Sequence, residues 1–202
     1  MFDSIMMTLR IAVIILTFSL VSCTQPPELQ DGDIIFHRSQ SKQSKAIALA
    51  THSHYTHMGL VFFDNGKPFV YEAIQPVTRT PLSDWIGRGE NKHYVVRRLK
   101  DISLLDSKRM KQEVSSMIGK DYDWLFEWSD KRIYCSELVW KAYEKSTGLH
   151  LGSLRTLGDF DLEHVVVKQL MKERYGKNIP LQMNVIAPSD IFDSPLLMTV
   201  SD

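Results

Sequence analysis

Three side chains that together can transfer an acyl group stand far apart in this 202-residue sequence: His57 in THMG, Glu72 in YEA and Cys135 in YCSELVW. A histidine held by a carboxylate is a general base waiting for a proton to take, and a thiol beside it becomes a nucleophile. Each residue alone has a plainer reading. A His–Glu pair can simply brace a sheet. Cys135 can fill a core, since Leu138, Val139, Ala142 and Tyr143 follow it at the spacing of one helix face. Periodicity does not separate filler from nucleophile, so the decision rests on whether the chain's elements bring the three groups together.

The first two are positioned by a hairpin. HMGLVFF (57–63) and PFVYEAI (68–74) are β-rich runs flanking Asp64-Asn65-Gly66-Lys67, and Asn-Gly is the strongest short-range hairpin signal. With Asn65 and Gly66 at the centre of the turn, Asp64 pairs with Lys67, Gly59 faces Glu72 and His57 faces Ile74. Alternation then puts His57 and Glu72 on one face as diagonal neighbours, with Cα atoms about 7–8 Å apart. Gly59, opposite Glu72, leaves room for the carboxylate to bend toward the imidazole. The other positions of both runs are almost all apolar, so a carboxylate there needs a partner. A metal site built from His52, His54 and His57 is not expected, because the spacing matches no strong zinc pattern and a strand would turn His57 away from the other two. No cofactor is implied.

The third group lies at a helix start. Lys131-Arg132 is polar and loop-like, the apolar periodicity begins at Cys135, and Gly148 ends it, which predicts a helix over 135–147. In the first turn of such a helix, unpaired N–H groups and the helix dipole favour a negatively charged sulfur and can hold a developing oxyanion. Tyr134, next to the thiol, either lines the pocket or packs.

The rest of the chain reads as one domain. DGDIIFH (31–37) gives a turn and a strand, 41–51 a short helix with Ala46, Ile47 and Ala50 on one side, PLSDWIG (81–87) one or two helical turns, and HYVVRRL (93–99) a strand. Helices follow near 103–118 and 160–174. The tail past Gly176 is expected to be mostly irregular, with a turn near Asp190. Tyr122, Trp124, Phe126 and Trp128 are expected in core and cleft wall. Lys+Arg and Asp+Glu balance at 24 each, so no basic field accompanies these aromatics and no nucleic-acid partner is expected.

At the N-terminus Arg10 precedes IAVIILTFSLV, an apolar run shorter than a membrane span, and Leu20-Val21-Ser22-Cys23 resembles the lipobox of bacterial lipoproteins. The expected organisation is a lipoprotein signal peptide (1–22), a lipid-anchored linker (23–30) beginning at the lipidated Cys23, and one folded domain (31–202). Lipidation of Cys23 would leave Cys135 as the lone thiol of an exported protein, with no disulfide partner. Thr24 is not an Asp-type retention signal, which favours the outer membrane, on the periplasmic side.

DGDIIF, SKAIALATHSHYTHMGLV (44–61), YEA (71–73), YVVRR (94–98), GKDYDWLFEWSDKRIYCSELVWK (119–141) and ERYGKNIPL (173–181) together resemble the YiiX-like cysteine hydrolases, permuted papain-like amidases within the NlpC-type superfamily. The resemblance implies an α+β, circularly permuted papain-like fold with a small antiparallel sheet packed against the nucleophile-bearing helix. It also implies roles: Cys135 as nucleophile, His57 as base and acid, Glu72 as the group orienting the imidazole. Asp33 matches a Gly-Asp start that recurs in the superfamily and reads first as a turn and strand-edge residue; His52 and His54 fall outside the matched catalytic position. The expected activity is cleavage of an amide in a peptidoglycan or other envelope peptide through a Cys thioester. Two rivals remain: a lipid acyl hydrolase or acyltransferase of the lecithin:retinol acyltransferase-like type, and a noncatalytic envelope binding module.

Overall fold

In the computed structural model, which describes residues 28–201, Asn65 and Gly66 take φ of +50° and +75° and close the turn between β2 (His57–Asp64) and β3 (Lys67–Glu72). Positive φ at both central residues matches the right-handed twist of the flanking strands. The register is the one the turn dictates, running from Asp64 opposite Lys67 to Leu60 opposite Tyr71. Around this hairpin an antiparallel six-stranded sheet assembles from β1 (Ile34–His37), β4 (Thr78–Pro81), β5 (Val95–Leu99) and the C-terminal strand Leu197–Ser201. Its order is C-terminal strand, β5, β1, β2, β3, β4.

Strand alternation sorts the core into two layers. Ile34, Phe36, Met58, Leu60 and Phe62 point to the side covered by α3 (Ser107–Ser115) and α4 (Cys135–Thr147), where Met110, Val114, Leu138, Val139 and Tyr143 meet them. Ile35, Val61, Val70 and Val96 point to the other side and bury Trp85 of α2 (Leu82–Gly87). The remaining helices are α1 (Lys42–Thr51), α5 (Val165–Tyr175) and α6 (Pro188–Phe192), with α1 and α5 packed on each other.

Local chemistry sets the helix ends. Ser41 caps α1 by accepting the Ser44 N–H at 3.1 Å, and Gly148 ends α4 with φ of +74°. Asp33 is more than a turn residue: its buried carboxylate accepts two bonds from Arg98, at 2.6 and 2.7 Å, and one from the Gln30 N–H at 2.8 Å. The Tyr143 hydroxyl donates to the Gly32 carbonyl at 2.8 Å, tying this corner to α4.

Three elements differ from the sequence expectation. The helix expected near 160 begins at Val165, where His164 Nδ1 accepts the Val166 N–H, and the helix expected over 103–118 is α3 preceded by a separate 3-10 turn, Ile102–Leu104. The tail is less irregular than its prolines imply, because Leu197–Ser201 pairs along β5. The signal-like segment and Cys23 lie outside the described residues.

Candidate active site

Glu72 ends β3 and its side chain is fully buried, a placement a carboxylate tolerates only if its oxygens are satisfied. They are. Oε2 accepts from His57 Nε2 at 2.6 Å and from the Trp85 indole N–H at 3.0 Å. Oε1 accepts from the Thr80 hydroxyl at 2.6 Å and from Arg88. Burial works to raise the carboxyl's pKa, but the bond and charge of His57, helped by Thr80 and Arg88, hold it down at about 2. Gly59 is the device that lets β2 come this close. A Cβ there would lie 2.7 Å from the Tyr71 carbonyl oxygen and 2.5 Å from a Val70 methyl.

His57 is the first residue of β2, and its position at the strand's end is what lets it serve both layers of the fold. Glu72 lies on the Trp85 side of the sheet, while α4 packs on the other. A histidine further along β2 would be walled off from one of the two. At the strand end, Nε2 is taken by Glu72, and the ring also interacts with the Cys135 thiol. Burial works to lower the imidazole's pKa; the thiol and the carboxylate outweigh it and push it up to about 10. Cys135 itself opens α4 and is buried as a free thiol. Tyr134, just before it, is buried and its hydroxyl accepts the Ile186 N–H at 3.2 Å, so it packs and braces the wall.

His37 stands opposite His57 in the β1–β2 register, 5.4 Å away between ring centroids, and stacks on the Trp85 indole at 3.8 Å. Burial, then the charge of His57, lowers its pKa to about 3, which keeps it neutral. Trp85, Thr80, Arg88 and His37 escaped sequence reasoning. Their only sequence signal was the presence of polar atoms in short elements near the hairpin. His52 and His54 are exposed and take no part in this cluster's hydrogen bonds, His52 lying against Asp161 and His54 near Arg38.

Two clefts meet at the thiol and the imidazole. The one walled by Cys135 is apolar and runs between α1, α5 and the segment before α6. The one walled by His57 and His37 is polar, with Ser39, Ser41, Gln43, Gln75 and Arg88 on its sides. Ile47 and Tyr122 belong to both. The arrangement offers a nucleophile, a proton carrier, a fixed carboxylate behind it, and helix-start amides beside the sulfur.

The family described as permuted papain-like amidase enzymes, YaeF/YiiX, C92, matches residues 28–201. The protein YiiX of Escherichia coli (strain K12) is 46% identical over 193 residues, covering 95% of each chain. A crystal structure of YiiX from Escherichia coli O157:H7, described as a metalloprotein, superposes with a TM-score of 0.82 at 47% identity, covering 88% of this chain and 98% of that one. Among the described residues of the present chain, no group of three His, Cys, Asp or Glu side chains is placed to hold a metal ion.

Proposed function

We propose that this chain, which belongs to the permuted papain-like amidases of the YaeF/YiiX (C92) family, is a cell-envelope cysteine amidase whose triad is Cys135, His57 and Glu72. The observation that carries the reading is His57 held at 2.6 Å by a fully buried Glu72 while its ring engages the only cysteine among the described residues. The Cys135 sulfur attacks the amide carbonyl, and first-turn amides of α4 stabilise the oxyanion. His57 then protonates the departing nitrogen, leaving a thioester. Water, deprotonated by His57, cleaves that thioester and returns the thiol. Glu72 stays ionised throughout and fixes the ring's orientation, as its low pKa allows.

Lipidation at Cys23 would hold this site at a bacterial membrane, on the periplasmic side, within reach of envelope peptides and of acylated amines alike. No helix among the described residues is long and apolar enough to cross a membrane. The test is selective alkylation. Near neutral pH, iodoacetamide should modify Cys135 quickly, and His57→Ala should slow the reaction sharply. Equal, sluggish labelling of both proteins would leave a noncatalytic module as the better account.

A further inference from the structure

Little chain joins the folded domain to the lipid anchor proposed at Cys23, and this limits which end of the fold can face the membrane. Five residue steps separate Cys23 from Glu28. At no more than about 3.6 Å each, they reach at most about 18 Å. Glu28 is tied to the domain, since its carbonyl accepts from Arg98 at 2.8 Å and the Arg98 guanidinium is itself held by Asp33. The chain therefore enters the fold where β5 ends and β1 begins.

That corner carries exposed apolar side chains. Just after β5, the 3-10 turn Ile102–Leu104 holds out Ile102 at 45% exposure and Leu104 at 51%. Leu105 packs against Gly32 so closely that a Cβ on the glycine would lie 2.6 Å from its methyl. Arg98 before the turn and Leu105 after it thus both touch the entering chain. The turn's polar groups are spent internally. Asp101 accepts the Ser103 N–H at 3.2 Å and the Ser103 hydroxyl at 2.5 Å, and the N–H groups of Leu104 and Leu105 reach the carbonyls of Asp101 and Ile102. Two bulky apolar side chains on such a turn can enter a bilayer interface without stripping unpaired backbone groups of water. Residues 100–109 set three cations, Lys100, Lys108 and Arg109, against two carboxylates, Asp101 and Asp106, so the attraction is apolar rather than electrostatic.

We propose that the Ile102–Leu104 turn is a docking wedge that sits in the headgroup–acyl boundary of the bilayer carrying the Cys23 anchor. This rests on the lipidation reading above and adds an orientation to it. The turn lies at the Gly32 end of β1 and the catalytic groups at the other end. From Gly32 to His37 the extended chain covers about 17 Å, and along α4 Tyr143, bonded to the Gly32 carbonyl, stands about 12 Å from Cys135. Docked by this turn, the domain holds thiol and imidazole at the end away from the lipid.

The test uses the full chain, made in a bacterial host in a Cys135→Ala background and reconstituted into vesicles of phosphatidylethanolamine and phosphatidylglycerol. An environment-sensitive dye is placed at Leu104→Cys or, as the control, at Ile118→Cys. Ile118 is also exposed and apolar, but it lies toward the catalytic end: the next residue, Gly119, donates its N–H to the Val77 carbonyl at 2.9 Å, and Tyr122 walls both clefts. Intact-protein mass reports whether Cys23 is acylated. The expected result is acylated protein in which the dye at 104 shifts to the blue and loses about half its emission or more to lipids spin-labelled near the headgroup. The dye at 118 should stay unquenched, and raising the salt to about 0.5 M should change neither signal. Ile102→Ser should weaken the quenching at 104 about twofold. On acylated protein, a dye at 104 that stays in water, equal quenching at 104 and 118, or a blue shift that lipid spin labels do not quench, which marks a second copy covering the turn, would each overturn the docking proposal and leave the anchor standing. A chain recovered without acyl groups on Cys23 would overturn the anchor reading, and the docking proposal with it.

Discussion

Replacing Glu72 by Gln keeps the volume and shape of the side chain and removes one charge, so its effect isolates what that charge does. Four donors converge on the carboxylate: His57, Trp85, Thr80 and Arg88. An amide has one acceptor oxygen and a donating NH₂, so one pair of donors must face the wrong group. The less costly orientation leaves the oxygen with His57 and Trp85, because the Thr80 hydroxyl can turn to accept and Arg88, about 43% exposed, can swing into water. The surviving bonds lose their charge assistance, which at 1.5–3 kcal/mol for a bond to a charged group makes a net loss of about 2–4 kcal/mol. For a domain of this size that is a drop of roughly 5–15 °C in Tm. His57 also loses the carboxylate that helps hold its pKa near 10, so the imidazolium becomes scarcer at neutral pH and the ring less well fixed. Turnover is expected to fall by about 10²–10⁴. The pH dependence carries a sign. A carboxyl held at about 2 when folded, against an ordinary 4.5, contributes stability that is present above pH 4.5 and fades as pH falls toward 2. The stability gap between native and Glu72→Gln protein should therefore be widest near neutrality and close over that window. Urea unfolding at a series of pH values, with the alkylation rate of Cys135 on the same samples, reads both effects. A Glu72→Gln protein with native Tm and native alkylation kinetics would refute the account of Glu72 as the charged anchor of His57.

Gly59→Ala should destabilise by about 1–3 kcal/mol or more, because its Cβ would press on the Tyr71 carbonyl at 2.7 Å and backbone must shift to clear it; thermal melting checks this, and the alkylation rate should fall as the hairpin moves. Arg98→Ala leaves the buried Asp33 carboxylate without its two-bond partner and should cost about 3–5 kcal/mol, measured by urea unfolding, with Cys135 labelling in the folded fraction little changed if the Asp33 pair is structural. His37, kept neutral with a pKa of about 3 against an ordinary 6.5, makes the fold lose stability as pH falls from 6.5 toward 3, since the unfolded chain takes up the proton there and the folded one does not. His37→Phe preserves the stack on Trp85 and should remove that component, up to about 5 kcal/mol, so that native and variant curves diverge on acidification.

The local part of the site was legible because turn chemistry acts at a distance along a strand. Once Asn65-Gly66 fixes which residues face each other, every pair up the ladder follows, and His57 and Glu72 fall on one face without any knowledge of the rest of the chain. The start of α4 was legible for a similar reason: periodicity begins abruptly at Cys135 and a glycine ends it. Trp85, Thr80 and Arg88 were not legible, because they reach Glu72 only after β4 and α2 fold back over β3, and nothing in TRTPLSDWIGR signals that return. The C-terminal strand hid for want of length: five residues beyond a proline carry little pattern, and only pairing with β5 makes them a strand.

The apolar cleft marks a firmer boundary on what a sequence can tell. Ala46, Ala50, Val167 and Met171 obey the same helical spacing whether α1 and α5 seal against each other or stop short, since amphipathic pattern records which side of a helix turns inward and not what fills the space it meets. A cleft of this kind is core that lacks its plug. The bordering helices already need their inner faces apolar in order to pack, so it asks for little in composition beyond two alanines where larger residues would close the gap, and that gap is invisible until the distances are known. Thiol, imidazole and carboxylate bear on which bond is attacked, and only the walls around them bear on what is attached to it.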